Sequence, residues 1–154
     1  MTMGGNGYNL SEKDNDEEET SPEPERGQGK FVFPGGAIYE GEYMVMDGAK
    51  VRHGNGKHSN GRETYVGRWE NDAMHGEGEV VFGSDASYRG WFANNKFDGF
   101  GCYKWGDGAI YEGNWKENKM HGHGCYTDSQ KNRWEGEFCN GLFDNGRTKI
   151  SLRR

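Results

Sequence analysis

Three histidines, His53, His75 and His121, stand at one position of a recurring phrase, and Asp98 takes the same place in a fourth copy. Imidazole and carboxylate groups bind metals and move protons, so metal binding is the first chemistry to consider. A metal centre needs several donors converging on one ion. One donor per successive unit gives a spaced row instead, and a structural role in ring packing or turn hydrogen bonding is expected. The carboxylates Glu40, Glu42, Glu112, Glu135 and Glu137 recur because strand alternation puts them on a polar face. No Ser or Cys comes with a credible base and orienting acid. The Gly-x-Gly pairs at Gly54/Gly56, Gly76/Gly78, Gly99/Gly101 and Gly122/Gly124 fall within strands, not between a strand and a helix, so they make no dinucleotide fingerprint. Gly-x4-Gly-Lys-Ser/Thr is absent as well. Cys102 and Cys125 are 23 residues apart and share one repeat position, opposite the aromatics, while Cys139 stands alone. Without a CxxC they suggest neither a disulfide framework nor a zinc site, and free thiols in a reducing compartment are expected. No catalytic, cofactor-binding or metal-ligating residues are expected, and the chain reads as a non-enzyme.

The elements that place these residues come from a 23-residue period. Tyr65-Val-Gly67-Arg-Trp69 is followed by Gly76-x-Gly78, Tyr88-Arg-Gly90-Trp-Phe92 by Gly99-x-Gly101, and Tyr111-Glu-Gly113-Asn-Trp115 by Gly122-x-Gly124. An earlier copy opens at Tyr39-Glu-Gly41-Glu-Tyr43 but is stretched to 26 residues, and a truncated one closes the array at Trp134-Glu-Gly136-Glu-Phe138. Gly27-x-Gly29 supplies a preceding half unit. A period of this length marks a repeat architecture.

Each unit reads as a β-hairpin. Tyr65 to Glu70 alternates aromatic or small residues with charged or extended ones, Asn71-Asp72-Ala73 carries turn chemistry, and Gly76 to Phe82 alternates again before Gly83-Ser84-Asp85. This phase places Phe31, Phe33, Tyr39, Tyr43, Tyr65, Trp69, Phe82, Tyr88, Phe92, Tyr103, Trp105, Tyr111, Trp115, Tyr126, Trp134 and Phe138 on one face, sixteen of the 21 aromatics. Glycines at the matching positions leave room for rings to lie flat over the strands. They weaken those strands intrinsically, so stacked aromatics must supply much of the stability.

The phrase Tyr-Glu-Gly-x-Trp, an Asn-containing turn, His-Gly-x-Gly, an aromatic strand and a Gly-Asp-Gly turn resembles the MORN repeat. The stretch from Gly99 to Tyr126 meets the family pattern almost residue for residue, and the resemblance covers about residues 26 to 146. It implies an all-β fold: an elongated, twisted, single-layer antiparallel sheet of tandem hairpins with an aromatic-lined groove. Units start near 39, 65, 88, 111 and 134, with a half unit at 26–38. The departures are an insertion around Met44 to Arg52, Asp98 in place of His, and loss of the glycine pair after Phe143, which suggests a cap. Insertions in repeat arrays tend to emerge as loops on one face, so Met44 to Arg52 is a candidate specificity device.

Composition agrees with a thin architecture. A hydrophobic content of 31% and a mean hydropathy of -1.12 suit a solenoid, whose units contact only their neighbours, better than a thick two-layer core. Residues 1–25 read as a disordered acidic tail. Through Arg26 the chain holds eight acids against two bases, a balance equal to the net charge of -6, so the repeat body is neutral. Two readings of that tail stay open, a solubilising segment and a regulatory arm that meets a basic partner. Ser11 and Ser21 stand in short patterns that could accept phosphate. The basic stretch Arg147, Lys149, Arg153 and Arg154 reads as a C-terminal tail over 147–154, with contact to an acidic partner or to the N-terminal tail as the alternative.

A neutral body argues against nucleic acid as the main partner. No run of about 18 apolar residues exists to span a membrane. There is no signal peptide pattern, and Thr2 occupies the position that N-myristoylation requires to be glycine. The expected role is an adaptor or scaffold that holds a partner's helix or extended segment along the aromatic groove, with Tyr65, Trp69, Tyr88, Phe92, Tyr111 and Trp115 as the contact residues. The resemblance implies a cytoplasmic, cytoskeletal or ciliary and flagellar setting, with axonemal or motor proteins as partners. Lipid-kinase and lysine-methyltransferase domains, which accompany such repeats in larger relatives, do not occur in this sequence. Phospholipid binding, suggested by the family's full name of membrane occupation and recognition nexus, is the alternative, weakened by the lack of a Lys/Arg cluster. Self-association through a sheet end is a third expectation, because terminal strands expose unpaired backbone.

Overall fold

The computed structural model describes residues 22–153, and among these every regular element is a strand. Twelve strands pair antiparallel in sequence order within one open sheet. They are β1 (Arg26–Val32), β2 (Ile38–Met46), β3 (Ala49–Ser59), β4 (Glu63–Glu70), β5 (Ala73–Phe82), β6 (Ser87–Ala93), β7 (Lys96–Lys104), β8 (Ile110–Lys116), β9 (Lys119–Thr127), β10 (Arg133–Cys139), β11 (Leu142–Asp144) and β12 (Lys149–Ile150). At roughly 4.8 Å per strand the sheet spans on the order of 50 Å. The hairpin repeat read from the period and the all-β, single-layer sheet implied by the family resemblance are the observed fold. The acidic tail lies outside the described residues except for 22–25, which carry no regular structure.

One register row explains the glycines. Gly29, Gly41, Gly56, Gly67, Gly78, Gly90, Gly101, Gly113, Gly124 and Gly136 pair successively across β1 to β10. A Cβ on Gly56, Gly78, Gly101 or Gly124 would run into the ring of Tyr39, Tyr65, Tyr88 or Tyr111. The tyrosines therefore lie on bare backbone, the close approach that glycine within a strand permits.

Beside this row the four hairpins β2–β3, β4–β5, β6–β7 and β8–β9 each carry a bulge. The register shifts between Gly41 and Tyr43, Gly67 and Trp69, Gly90 and Phe92, and Gly113 and Trp115, so that one residue faces three on the next strand. The middle one of each three, Gly54, Gly76, Gly99 or Gly122, has φ between 75° and 106°, a conformation that favours glycine. The carbonyl of the single residue opposite accepts the hydroxyl of the overlying tyrosine. Tyr39 donates to Glu42 at 2.6 Å, and Tyr65, Tyr88 and Tyr111 donate to Arg68, Trp91 and Asn114 at 2.9 Å.

Two-residue turns close the hairpins, with positive φ at both central residues: Asp47-Gly48, Asn71-Asp72, Asn94-Asn95, Glu117-Asn118 and Asn140-Gly141. The second of these residues also ties its hairpin to the preceding one. Asn95 and Asn118 donate their backbone N–H to the Met74 and Phe97 carbonyls at 3.0 Å. Their side-chain oxygens accept the Met74 and Phe97 N–H groups at 2.9 and 2.8 Å. Asp72 bonds to Arg52 in the same way.

Three local expectations change. The second strand of each hairpin starts at Ala73, Lys96 or Lys119, ahead of the Gly-x-Gly, because the bulge lets the ladder resume on its far side. The insertion in the first unit forms no loop: Met44↔Val51, Val45↔Lys50 and Met46↔Ala49 lengthen the β2–β3 hairpin up to a tight turn. The segment expected as a basic tail from residue 147 instead enters the sheet as β12, paired with β11, and then folds back onto the aromatic face.

Candidate functional site

The six residues expected to contact a partner come together as consecutive links of one chain of edge-to-face rings. It runs Tyr39, Trp69, Tyr65, Phe92, Tyr88, Trp115, Tyr111, Phe138, with successive centroids 4.9 to 5.5 Å apart. Such pairs add about 0.5–1.5 kcal/mol each beyond the area they bury. The indole N–H of Trp69 donates to the Gly56 carbonyl at 3.3 Å and that of Trp115 to Gly101 at 3.2 Å. Tyr65, Trp69, Tyr88, Phe92, Tyr111 and Trp115 are all between 0% and 7% exposed. These rings are the core of a one-layer protein and offer little free surface of their own. Burial raises the phenol pKa of Tyr39 and of Tyr65 to about 12, and those of Tyr88 and Tyr111 also rise through burial, so all four stay neutral well into the alkaline range.

A second rank of half-buried groups stands above them and is open to solvent. Between β3 and β9 the aromatic face sinks into a depression of about 350 Å³. Tyr65, Trp69 and Phe92 line it together with the half-buried Met74, Phe82 and Phe97, while Glu63, Asn95 and Asn118 supply polar groups. Arg52 lies over the Trp69 ring, 4.1 Å from its centroid, and bonds Asp72 at 2.9 Å. Burial and the nearby Arg52 charge lower the pKa of His58, which keeps that ring neutral at pH 7. The depression thus combines apolar walls with a paired cation and hydrogen-bonding amides, the mixture that orients a bound segment.

Further along the same face, the C-terminal segment covers the rings. Arg153 stacks over Trp105 at 4.3 Å and pairs with Asp107 at 3.1 Å, and Leu152 packs against the core.

Of the three histidines, His121 connects its hairpin to the next, while the buried Nδ1 of His53 meets no hydrogen-bond partner among the described residues. His53, His75 and His121 each open a bulge, as does Asp98. His121 Nδ1 accepts from the Asn140 N–H at 3.5 Å and Asp98 from the Glu117 N–H at 3.2 Å, both groups of the following hairpin turn. His75 faces Glu70 at 3.4 Å. Among the described residues no three His, Cys, Asp or Glu side chains are placed to hold a metal ion. Cys102 and Cys125 flank Glu112 in one cross-strand row, two strands or about 10 Å apart, beyond disulfide reach. Burial, with Glu112 next to it, raises the Cys102 thiol.

Alternation alone did not reveal two further features. Phe97 packs half-buried against the core, stacked on Tyr88 at 3.8 Å, and its pairing with Phe92 across the turn is the signal that locates it. On the opposite face Val66, Val81, Trp91 and Phe100 are each about half exposed. A depression of about 550 Å³ there includes Val66, Trp91 and Phe100 beside Glu77, Glu79, Glu112 and Arg89.

Three consecutive stretches of the chain, residues 65–86, 88–110 and 111–133, match the family model described as MORN repeat. A search of curated proteins gave no match.

Proposed function

The chain carries MORN repeats over residues 65–133, and from that premise we propose that it is a non-enzymatic adaptor whose aromatic face holds a helix or extended segment of a partner protein. MORN repeats occur in modules that bind proteins or membranes. One observation favours a protein here: the depression of about 350 Å³ places Met74, Phe82 and Phe97 at the surface above a rigid ring core, with Arg52, Asp72, Asn95 and Asn118 around them. Apolar anchors within a polar rim are the usual anatomy of a binding hot spot. The opposite face carries exposed apolar groups next to three glutamates and one arginine, Arg89, an acidic balance that disfavours an anionic lipid surface. The proposal sets the adaptor in the cytoplasm, in a cytoskeletal, ciliary or flagellar assembly. Its end strands leave β1 and β12 open to self-association, which light scattering would register as a dimer mass.

The test compares affinity captures by the intact chain, a Met74→Lys, Phe82→Glu variant and a Phe100→Glu variant, each shown by circular dichroism to be folded. A partner retained by the intact chain and by the Phe100 variant, but lost by the first, supports the proposal. Equal capture by all three counts against it. Salt-sensitive sedimentation with anionic vesicles, lost in the Phe100 variant, would favour the lipid alternative.

A further inference from the structure

The C-terminal end of the aromatic face already holds a ligand, and that ligand belongs to the chain itself. Beyond β12 the backbone turns back, and the Arg153 guanidinium settles into a three-sided site. The Trp105 ring lies beneath it at 4.3 Å, the Asp107 carboxylate sits at 3.1 Å from Nη2, and Nη1 donates to the Tyr126 hydroxyl at 3.4 Å. Each wall has its own support. Asp107 accepts the Ala109 N–H at 3.0 Å, which fixes its carboxylate within the turn between β7 and β8. Trp105 is wedged between Tyr103 and Tyr126, at 4.6 and 5.8 Å. A planar cation over an indole, with a carboxylate in reach of its fork, is the arrangement in which arginine binds better than lysine. The same chemistry occurs a second time on this face, where Arg52 covers Trp69 and pairs with Asp72. There the cation comes from the middle of a strand. At Trp105 it comes from the arm that follows β12, which among the described residues also packs Leu152 against the core. The preceding unit lacks the pair, with Phe82 and Ser84 in the places of Trp105 and Asp107, so the site belongs to one unit of the array.

We propose that Trp105, Asp107 and Tyr126 form a recognition site for an arginine preceded by an apolar residue in an extended segment of a partner protein, and that the chain's own Leu152-Arg153 occupies it as an intramolecular stand-in. The arm competes as a tethered ligand at an effective concentration on the order of millimolar. Only a segment that also makes contacts beyond the arginine displaces it, which restricts access to cognate partners. The site does not depend on any occupant of the depression near Phe82, and the two succeed or fail separately.

The probe is a synthetic peptide with the sequence of residues 147–154. It is titrated into the intact chain and into a full-length Leu152→Ala, Arg153→Ala variant, and the Trp105 indole N–H resonance reports binding. The variant is expected to bind at least tenfold more tightly than the intact chain. Adding Asp107→Asn to the variant, a change that preserves a side-chain acceptor for the Ala109 N–H, is expected to weaken binding tenfold or more. Equal affinity for the intact and arm-deficient chains, no binding to either, or binding indifferent to Asp107→Asn would each overturn the proposal.

Discussion

Tyr88 shows how much one residue carries in a sheet with a single layer. Its ring lies over Gly101, its hydroxyl satisfies the Trp91 carbonyl left free by the bulge, and its edges meet Phe92 and Trp115. Gly101→Ala forces a methyl group into that ring, and a loss of about 1–3 kcal/mol is expected in urea unfolding, as for other overpacked cores. Tyr88→Phe removes only the hydroxyl and is expected to cost about 1 kcal/mol. Trp115→Ala empties a core site and is expected to cost about 3–5 kcal/mol. Loss of binding in that last variant would therefore say little about the groove, which is why the half-buried Met74 and Phe82 are the better probes. The tyrosines also predict an alkaline limit. Tyr39 and Tyr65 ionise near pH 12 when folded, against 10 in the unfolded chain. The folded state thus holds its protons longer, and the stabilisation present below pH 10 is lost as the pH rises through about 12. Absorbance of phenolate near 295 nm should rise together with loss of the sheet. Early ionisation of the core tyrosines in a chain that stays folded would refute their enclosure.

The hairpin is the element where sequence and structure agree most closely. Asn71-Asp72 and Asn94-Asn95 between alternating runs announce turns, and φ is positive at all four residues. The tie that the second turn residue makes to the preceding hairpin is less legible, because its partner lies 21 residues away. Asn118→Gly keeps the backbone conformation but removes the bond to the Phe97 N–H, while Asn118→Ala also puts at φ 68° a residue that tolerates the left-handed region less well than asparagine or glycine. Losses of about 1 and about 2 kcal/mol are expected in turn; an Asn118→Gly chain as stable as the parent would mean that the side-chain bond contributes nothing, and equal losses in both that the left-handed backbone costs alanine nothing. The bulge escaped the sequence reading for a physical reason: Gly76 and Gly99 suit a strand interior and a left-handed turn alike, and only the pairing decides between them. Phe97 was missed with it. The insertion at Met44 to Arg52 looked like a loop because it breaks the period, yet it keeps strand alternation and ends in Asp47-Gly48, which close a longer hairpin. The docking of Arg153 on Asp107 spans 46 residues and has no local signature beyond charge.

Across the described residues each strand pairs only with its sequence neighbours, and the rings reach one strand further, so stability should vary along the array as it does in other repeat proteins. Amide exchange is expected to be slowest in β5 to β9, which hold the densest ring contacts, and fastest in β1, β11 and β12. Uniform protection across the twelve strands would speak against that gradient. The repeat body was readable because its period, its aromatics and its glycines all agree; the C-terminal segment was not, because it leaves the period where it begins to act. The same thinness bears on function, since a layer one sheet thick has two faces and a partner must choose between them. Oxidative footprinting of the chain, alone and with its captured partner, measures that choice directly. Protection of Met74, Phe82 and Phe97 with Trp91 and Phe100 unchanged is the expected result, and protection confined to Trp91 and Phe100 would contradict binding along the aromatic face.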